Sequence, residues 1–228
     1  LLFAHSAYRQ ADGSTLIADT TNDRVLAVDS DGGVVFDTDT LGDGSGTLSD
    51  GSHLHYPNHA VPLPDGRMLV TDRNSNRVLA MDREGNVSWQ YGEGIRHPHN
   101  AEMLDDGHVL IADSDENRIL EVTPGGQVVW TYGDGSPEML NWPRHARRLA
   151  NGNTLITDSK NARILEVDPA GKTVWTYQVD YLAKFYYAEP LEHGHILIGD
   201  QQHHQVIEVD RMGEVVWRLR NAPFPNPV

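Results

Sequence analysis

The chain has 228 residues, a formal net charge of −15 and no cysteine. That much negative charge repels phosphate backbones and speaks against nucleic acid as a partner; without cysteine there are no disulfides and no thiolate metal sites. No apolar run approaches the ~18–20 residues of a transmembrane segment, and only three of the 18 basic residues are lysines.

The chain opens without a signal peptide or an initiator methionine, so Leu1 reads as the start of a mature form, a trimmed chain or part of something longer. One pattern then returns five times, marked by an alanine and a glycine: Ala7 and Gly13, Ala60 and Gly66, Ala101 and Gly107, Ala146 and Gly152, Ala188 and Gly194. Each glycine is followed at one spacing by an aspartate, namely Asp19, Asp72, Asp113, Asp158 and Asp200. A period of about 42 residues, carried by short apolar runs and turn glycines, predicts a β-propeller.

In chain order, the first repeat spans 5–40. The chain then departs from the pattern over 37–54, where Gly, Ser and Asp dominate and predict an exposed, solvated loop. Its aspartates do not match a calcium-loop spacing. The second repeat, 58–92, resolves into four strands at 60–63, 67–71, 77–82 and 87–91. The third, fourth and fifth, over 99–133, 144–178 and 186–220, follow the same plan. Hairpins turn at Asp-Gly, Asn-Gly or His-Gly pairs, where glycine supplies positive φ. No stretch keeps a helical period, and no linker interrupts the repeats. The expected fold is all-β, a single β-propeller domain over 1–228 with five four-stranded blades.

Two features recur in nearly every repeat. After the second strand comes an Asp and, five residues on, an Arg: Asp19 and Arg24, Asp72 and Arg77, Asp113 and Arg118, Asp158 and Arg163, with Asn22, Asn76, Asn117 and Asn161 between. Four copies of one constellation read as structure: the carboxylate takes backbone or Arg hydrogen bonds and pins the loop between strands two and three. Such an element should leave binding at the ends of the inner strands untouched. The fourth strand carries Phe36, Trp89, Trp130, Trp175 or Trp217, expected to pack between neighbouring sheets.

Asn76-Arg-Val-Leu-Ala-Met-Asp-Arg-Glu-Gly85 and Asn161-Ala-Arg-Ile-Leu-Glu-Val-Asp-Pro-Ala-Gly171 resemble NHL-type propeller repeats. The longer unit Pro98-His-Asn-Ala-Glu-Met-Leu-Asp-Asp-Gly-His-Val-Leu-Ile-Ala-Asp113, with Val128-Val-Trp-Thr-Tyr132, resembles arylsulfotransferase-like propellers. Members of that family carry six blades, whereas this chain shows five repeats. The alternatives are a five-bladed closure or a ring short of one blade. The first strand is an innermost one and the last an outermost one, so a closure in which the termini share a blade is not evident.

The residues that differ between repeats carry the functional reading. The pairs before the marker alanines are His5-Ser6, Asn58-His59, His99-Asn100, Arg144-His145 and Tyr186-Tyr187. They open the innermost strand of each blade and are expected to ring one mouth of the channel, with His55, Tyr56, His97 and Trp142 just upstream. Imidazole is the natural acid, base, nucleophile or metal ligand near neutral pH. The resemblance implies a sulfotransferase-like site in which one of His59, His99 and His145 takes the sulfuryl group. Arg144 and Asn100 would stabilise its oxygens, and His5, Tyr186 and Tyr187 would complete the binding surface. His99-Asn100 matches the family's His and Asn partners only in part, so the nucleophile stays open among the three. Alternatives are a metal held by imidazoles from different blades and a non-catalytic scaffold. The expected partner is a small anionic or aromatic ligand, or a protein or glycan. No cofactor is expected, and the location is expected to be extracytoplasmic. If imidazolium supplies the charge, binding should weaken as pH rises through about 6–7.

Overall fold

The structure is a computed structural model and describes residues 1–133 and 139–220. Its regular structure is twenty strands, four short 3-10 turns and no α-helix among the described residues. The strands form five antiparallel sheets of four, each built from consecutive strands. These are β1 (Ser6–Arg9), β2 (Thr15–Asp19), β3 (Arg24–Val28) and β4 (Val34–Asp37); then β5 (Pro57–Pro62), β6 (Met68–Asp72), β7 (Arg77–Met81) and β8 (Val87–Tyr91). Next come β9 (Asn100–Met103), β10 (Val109–Asp113), β11 (Arg118–Val122) and β12 (Val128–Tyr132). The fourth sheet is β13 (Pro143–Arg148), β14 (Thr154–Asp158), β15 (Arg163–Val167) and β16 (Thr173–Gln178). The last is β17 (Phe185–Pro190), β18 (Ile196–Asp200), β19 (Gln205–Val209) and β20 (Val215–Arg220). This is the five-bladed, four-stranded β-propeller plan that the repeat predicts. Among the described residues, the first blade is built from β1 to β4 alone.

By compactness the chain divides into two units, Leu1–Glu116 with Leu120–Thr131, and Asn117–Ile119 with Tyr132–Val228. Of the single domain expected over 1–228, residues 134–138 and 221–228 lie outside the described residues.

Each strand's burial follows its place in the blade. The second strands are continuous apolar runs such as Leu16-Ile17-Ala18 and Met68-Leu69-Val70, and β6, β10 and β14 are buried along their whole length. The outer strands β8 and β16 alternate half-buried and exposed positions, because only one face packs. In the first unit one apolar cluster joins Leu16, Val25 and Phe36 of the first blade to Ala60, Val70 and Leu79 of the second. Another joins Leu69, Val78 and Tyr91 to Ala101, Ile111 and Leu120. In the second unit Leu155, Ile164 and Tyr177 pack on Phe185, Ile198 and Ile207.

The fourth-strand aromatics follow the expected packing only in part. Phe36 is buried in the first cluster, and Trp89 and Trp175 pack against theirs. The indole N–H of Trp89 also donates to the Pro124 carbonyl at 3.0 Å, and that of Trp175 to the Arg211 carbonyl at 2.9 Å. Trp217, on β20, is instead 47% exposed, and every residue of that strand is exposed.

The solvated-loop expectation for 37–54 holds for most of the segment, which is exposed, but not for its leucines. Leu41, Leu48 and Leu54 are buried in the first apolar cluster. The Thr38 hydroxyl accepts the Val25 N–H at 3.0 Å, and Arg77 reaches Asp50 at 3.0 Å and the Ser52 hydroxyl at 2.8 Å. Three leucines spaced through a Gly/Ser/Asp segment are enough to dock it, and its composition hides them.

Candidate functional site

The site residues lie where each chain segment leads into an innermost strand, and the recurrent aspartate builds that lead-in. Asp72 Oδ1 accepts the His55 N–H at 2.6 Å, and the Asn74 N–H returns to the His55 carbonyl at 3.0 Å. The same two-bond clamp joins Asp158 to Asn141 (2.7 Å) and the Lys160 N–H to the Asn141 carbonyl (3.0 Å). Asp19 and Asp113 hold the N–H groups of Leu2 and Arg96, each at 2.7 Å. The other carboxylate oxygen takes the arginine Nε, as at Asp19–Arg24 (2.9 Å), Asp72–Arg77 (2.8 Å) and Asp158–Arg163 (2.6 Å). The element therefore pins more than its own loop. It positions the segment that carries the candidate site residues.

A second device repeats beside it. Phe3, Tyr56, His97 and Trp142 all adopt left-handed backbone, with φ of 55°, 57°, 48° and 57°. Bulky residues rarely adopt this conformation without being held there. The N–H of Tyr56 donates to Asp23 at 2.6 Å, that of His97 to Asn76 at 2.9 Å, and that of Trp142 to Asn117 at 2.8 Å. Asp23, Asn76 and Asn117 are themselves left-handed turn residues. Asn22 and Asn161 occupy the preceding position and bond Asp19 and Asp158. The four asparagines grouped by sequence thus fill two different positions.

Immediately downstream the inner strand shifts register, between Pro57 and His59, Pro143 and His145, and Phe185 and Tyr187. Asn58, Arg144 and Tyr186 are the extra residues. A bulge of this kind re-aims a side chain away from the alternation of the strand.

In the first unit the His5 ring meets His99 and Tyr56, each with centroids 5.9 Å apart, and Phe3 at 4.9 Å. His99 and Asn100 are buried, as is Asn58, whose Oδ1 has no hydrogen-bond partner among the described residues. His59 donates to the Ala101 backbone, and burial pushes its pKa down to about 4. It is therefore a neutral ring at physiological pH. Its Nδ1 is buried without a hydrogen-bond partner among the described residues. Thr71 stands opposite His59 on the neighbouring strand, and Thr157 stands opposite His145. Both threonine hydroxyls are buried without a hydrogen-bond partner among the described residues. The sequence reading passed over them, although the residue before the marker aspartate is Thr only in these two repeats.

In the second unit the Arg144 guanidinium lies over both the Trp142 and the Tyr186 ring, 4.1 Å from each centroid. Lys160 Nζ lies 4.3 Å and Lys184 Nζ 5.3 Å from the Trp142 ring. Burial, then Arg144, then Lys160 push the Lys184 ammonium below its ordinary range. His145 is buried against Tyr187 at 4.2 Å, and the Tyr187 hydroxyl donates to Glu189 at 2.7 Å. The sequence reading missed Lys160 and Lys184, because they reach Trp142 from two different repeats. Two of the only three lysines in an acidic chain was the available signal.

The arrangement in the second unit gathers three cations on aromatic faces, which suits an anionic group carried on an aromatic ring. Among the described residues, the groups offering three metal-ligand atoms are His193, His195 and Glu208, and Asp106, His108 and Glu121. None of these lies at an inner-strand lead-in.

A family model described as outer membrane protein assembly factor BamB matches residues 3–219. No curated protein matches. Among solved structures, the chain is similar to a streptogramin B lyase (TM-score 0.71, 13% identity, covering 98% of this chain and 70% of that one). It is also similar to a protein of unknown function from Bacteroides caccae (TM-score 0.72, 18% identity, covering 96% and 81%). The WD40 β-propeller domain of Doa1 is a third (TM-score 0.73, 14% identity, covering 96% and 69%). At such identities these likenesses speak for the fold alone. They support a β-propeller repeat family without singling out the NHL or arylsulfotransferase branch.

Proposed function

The chain belongs to the family described as outer membrane protein assembly factor BamB, and we propose that it is a β-propeller that binds a small aromatic anion, such as an aryl sulfate, through its second unit. The observation that carries this reading is the cluster of Arg144, Lys160 and Lys184 around Trp142, with Tyr186 on Arg144. Burial first, then the like charges of Arg144 and Lys160, depress Lys184, and a bound anion would relieve the repulsion among them. The rings of Trp142 and Tyr186 would face the aryl group, while the guanidinium and ammonium groups take the anionic oxygens.

Calorimetric titration with 4-nitrophenyl sulfate, and with 4-nitrophenol as the uncharged control, tests it. Binding should weaken about tenfold or more in Arg144→Gln. The exposed Lys160→Gln should weaken it too, with no risk to the fold. Because the charge comes from Arg and Lys, affinity should hold steady through about pH 6–7, where imidazole loses its proton. It should fall on the alkaline side, earlier than for an ordinary lysine. Absence of binding by the parent protein, or equal binding by both variants, overturns the proposal.

Sulfuryl transfer is the covalent extension of this reading. An imidazole nitrogen would attack sulfur, the S–O bond to the aryl group would break, and the aryl oxygen would leave as phenolate. His145, next to Arg144, is the nucleophile we propose in this unit, with His59 and His99 as the alternatives from the first. Release of 4-nitrophenolate that is lost in His145→Ala, with binding kept, identifies it. A scaffold for a protein partner is the second reading. The apolar Val215, Val216, Trp217 and Leu219, all exposed on β20, favour it. It predicts no response to aryl sulfate. The family description, naming an outer-membrane-protein assembly factor, supports an extracytoplasmic location for either.

A further inference from the structure

We propose that His193, His195 and Glu208 form a binding site for a divalent transition-metal ion of the zinc class, on the turn between β17 and β18. This site lies at the far end of β17 from the anion cluster and is independent of that reading. His193 Nε2 lies 2.9 Å and His195 Nδ1 2.6 Å from the same Glu208 oxygen. All three donor atoms fall within 4.8 Å of one another. Zinc takes imidazole nitrogen and carboxylate oxygen at about 2.0–2.2 Å, so donors around one ion stand roughly 3 Å apart. Both imidazole donors already stand near that separation from Glu208, so the site needs only a small opening.

The local fold explains why the donors converge. His193 and His195 flank Gly194, whose φ of 91° closes the hairpin and brings both imidazoles to one side, with ring centroids 4.4 Å apart. Glu208 comes from β19, beside β18, opposite Leu197. Arg211 also reaches this turn, donating to the Gly194 carbonyl at 2.9 Å, but its other end is ion-paired to Glu166. Three protein donors, with His193 largely exposed, leave a coordination position for water or an outside ligand.

Two other blades carry a glutamate at this position and show what it does without paired imidazoles; the first and second have Ala27 and Ala80 there. In the fourth blade the same three positions are Asn151, Asn153 and Glu166, and both amides donate to the carboxylate. That is a plain hydrogen-bonded rivet between the turn and the third strand. In the third blade they are Asp106, His108 and Glu121, with one imidazole. Only the fifth blade replaces both turn residues with imidazoles, which converts the rivet into a set of metal donors.

The test is calorimetric titration with Zn²⁺ alone. The parent chain should bind one zinc ion with its affinity set here. His193→Ala/His195→Ala should weaken that binding at least about tenfold, whereas His108→Ala should leave it unchanged. His193→Gln, at a largely exposed side chain, is the second variant should the double one fail to fold. Cobalt substitution should give a visible absorption band that the double variant lacks. Failure of the parent to bind zinc overturns the proposal, as does equal binding by the variants. A rivet alone would lower the melting temperature of the double variant without any zinc response, which also overturns it.

Discussion

His59 places a titratable ring where charge is unwelcome, and its pH dependence has a definite sign. Burial holds its folded pKa at about 4, below the ordinary value of 6.5. Between these values the unfolded chain binds the proton that the folded chain refuses. Its contribution to stability is therefore complete above the ordinary value and is lost as pH falls towards about 4. Thermal melts over that range should show a decline that flattens in His59→Gln; an unchanged slope would place the proton elsewhere. Asp158 shows how residue chemistry spreads into the site. The sequence presents it as one of four equivalent anchors, remote from function. In the structure it fixes Asn141, next to Trp142, and the turn bearing Lys160 closes the same clamp. Asp158→Ala should therefore reduce aryl sulfate affinity as well as stability, where a purely structural anchor would affect stability alone.

At the scale of elements, the strands were legible because each obeys a local rule. Apolar runs fix β6, β10 and β14, Asp-Gly and Asn-Gly pairs fix the hairpins, and the expected blade at 58–92 begins one residue after β5 does. Features set by neighbouring chain were not legible. Neither the register shifts before His59 and His145 nor the left-handed Tyr56 and Trp142 has a sequence mark. The two left-handed residues are each held by a hydrogen bond to a segment far away in sequence. The inserted loop was legible as exposed chain but not as docked chain, because Leu41, Leu48 and Leu54 are few but buried. Leu48→Ala should cost about 2–5 kcal/mol in chemical denaturation, as a core leucine does. A solvated loop would show almost no change.

For the molecule as a whole, much of the charge of −15 is bound up in turns. Asp12, Asp43, Asp65 and Asp82 sit in tight turns and hold Ser14, Ser45, Arg67 and Asn86. Those hydrogen bonds keep all four carboxyls below the usual aspartate range. The acidity is thus partly the cost of so many hairpins, which composition alone cannot distinguish from a charged coat. Salt should act in opposite directions on the protein's two properties. Between about 0.01 M and 1 M the screening length falls from about 30 Å to 3 Å. The melting temperature should rise as self-repulsion is screened, while aryl sulfate affinity falls; a parallel change in both would argue against the cation cluster as the binding site. The paired left-handed turns also bear on how the chain is made. Asp23, Asn76 and Asn117 precede Tyr56, His97 and Trp142, whose N–H groups they accept. Each acceptor leaves the ribosome before its donor, so a finished turn is waiting when the next repeat emerges. Assembly can then proceed from the N-terminus by successive recognition. Ala162, which fills this place in the fourth repeat, has no side-chain acceptor to offer. The fifth repeat is captured without that bond, by its apolar face and by Arg211, which pairs with Glu166 and takes the Trp175 indole N–H on its carbonyl; Arg211 emerges late, which makes that junction the natural pause in biogenesis.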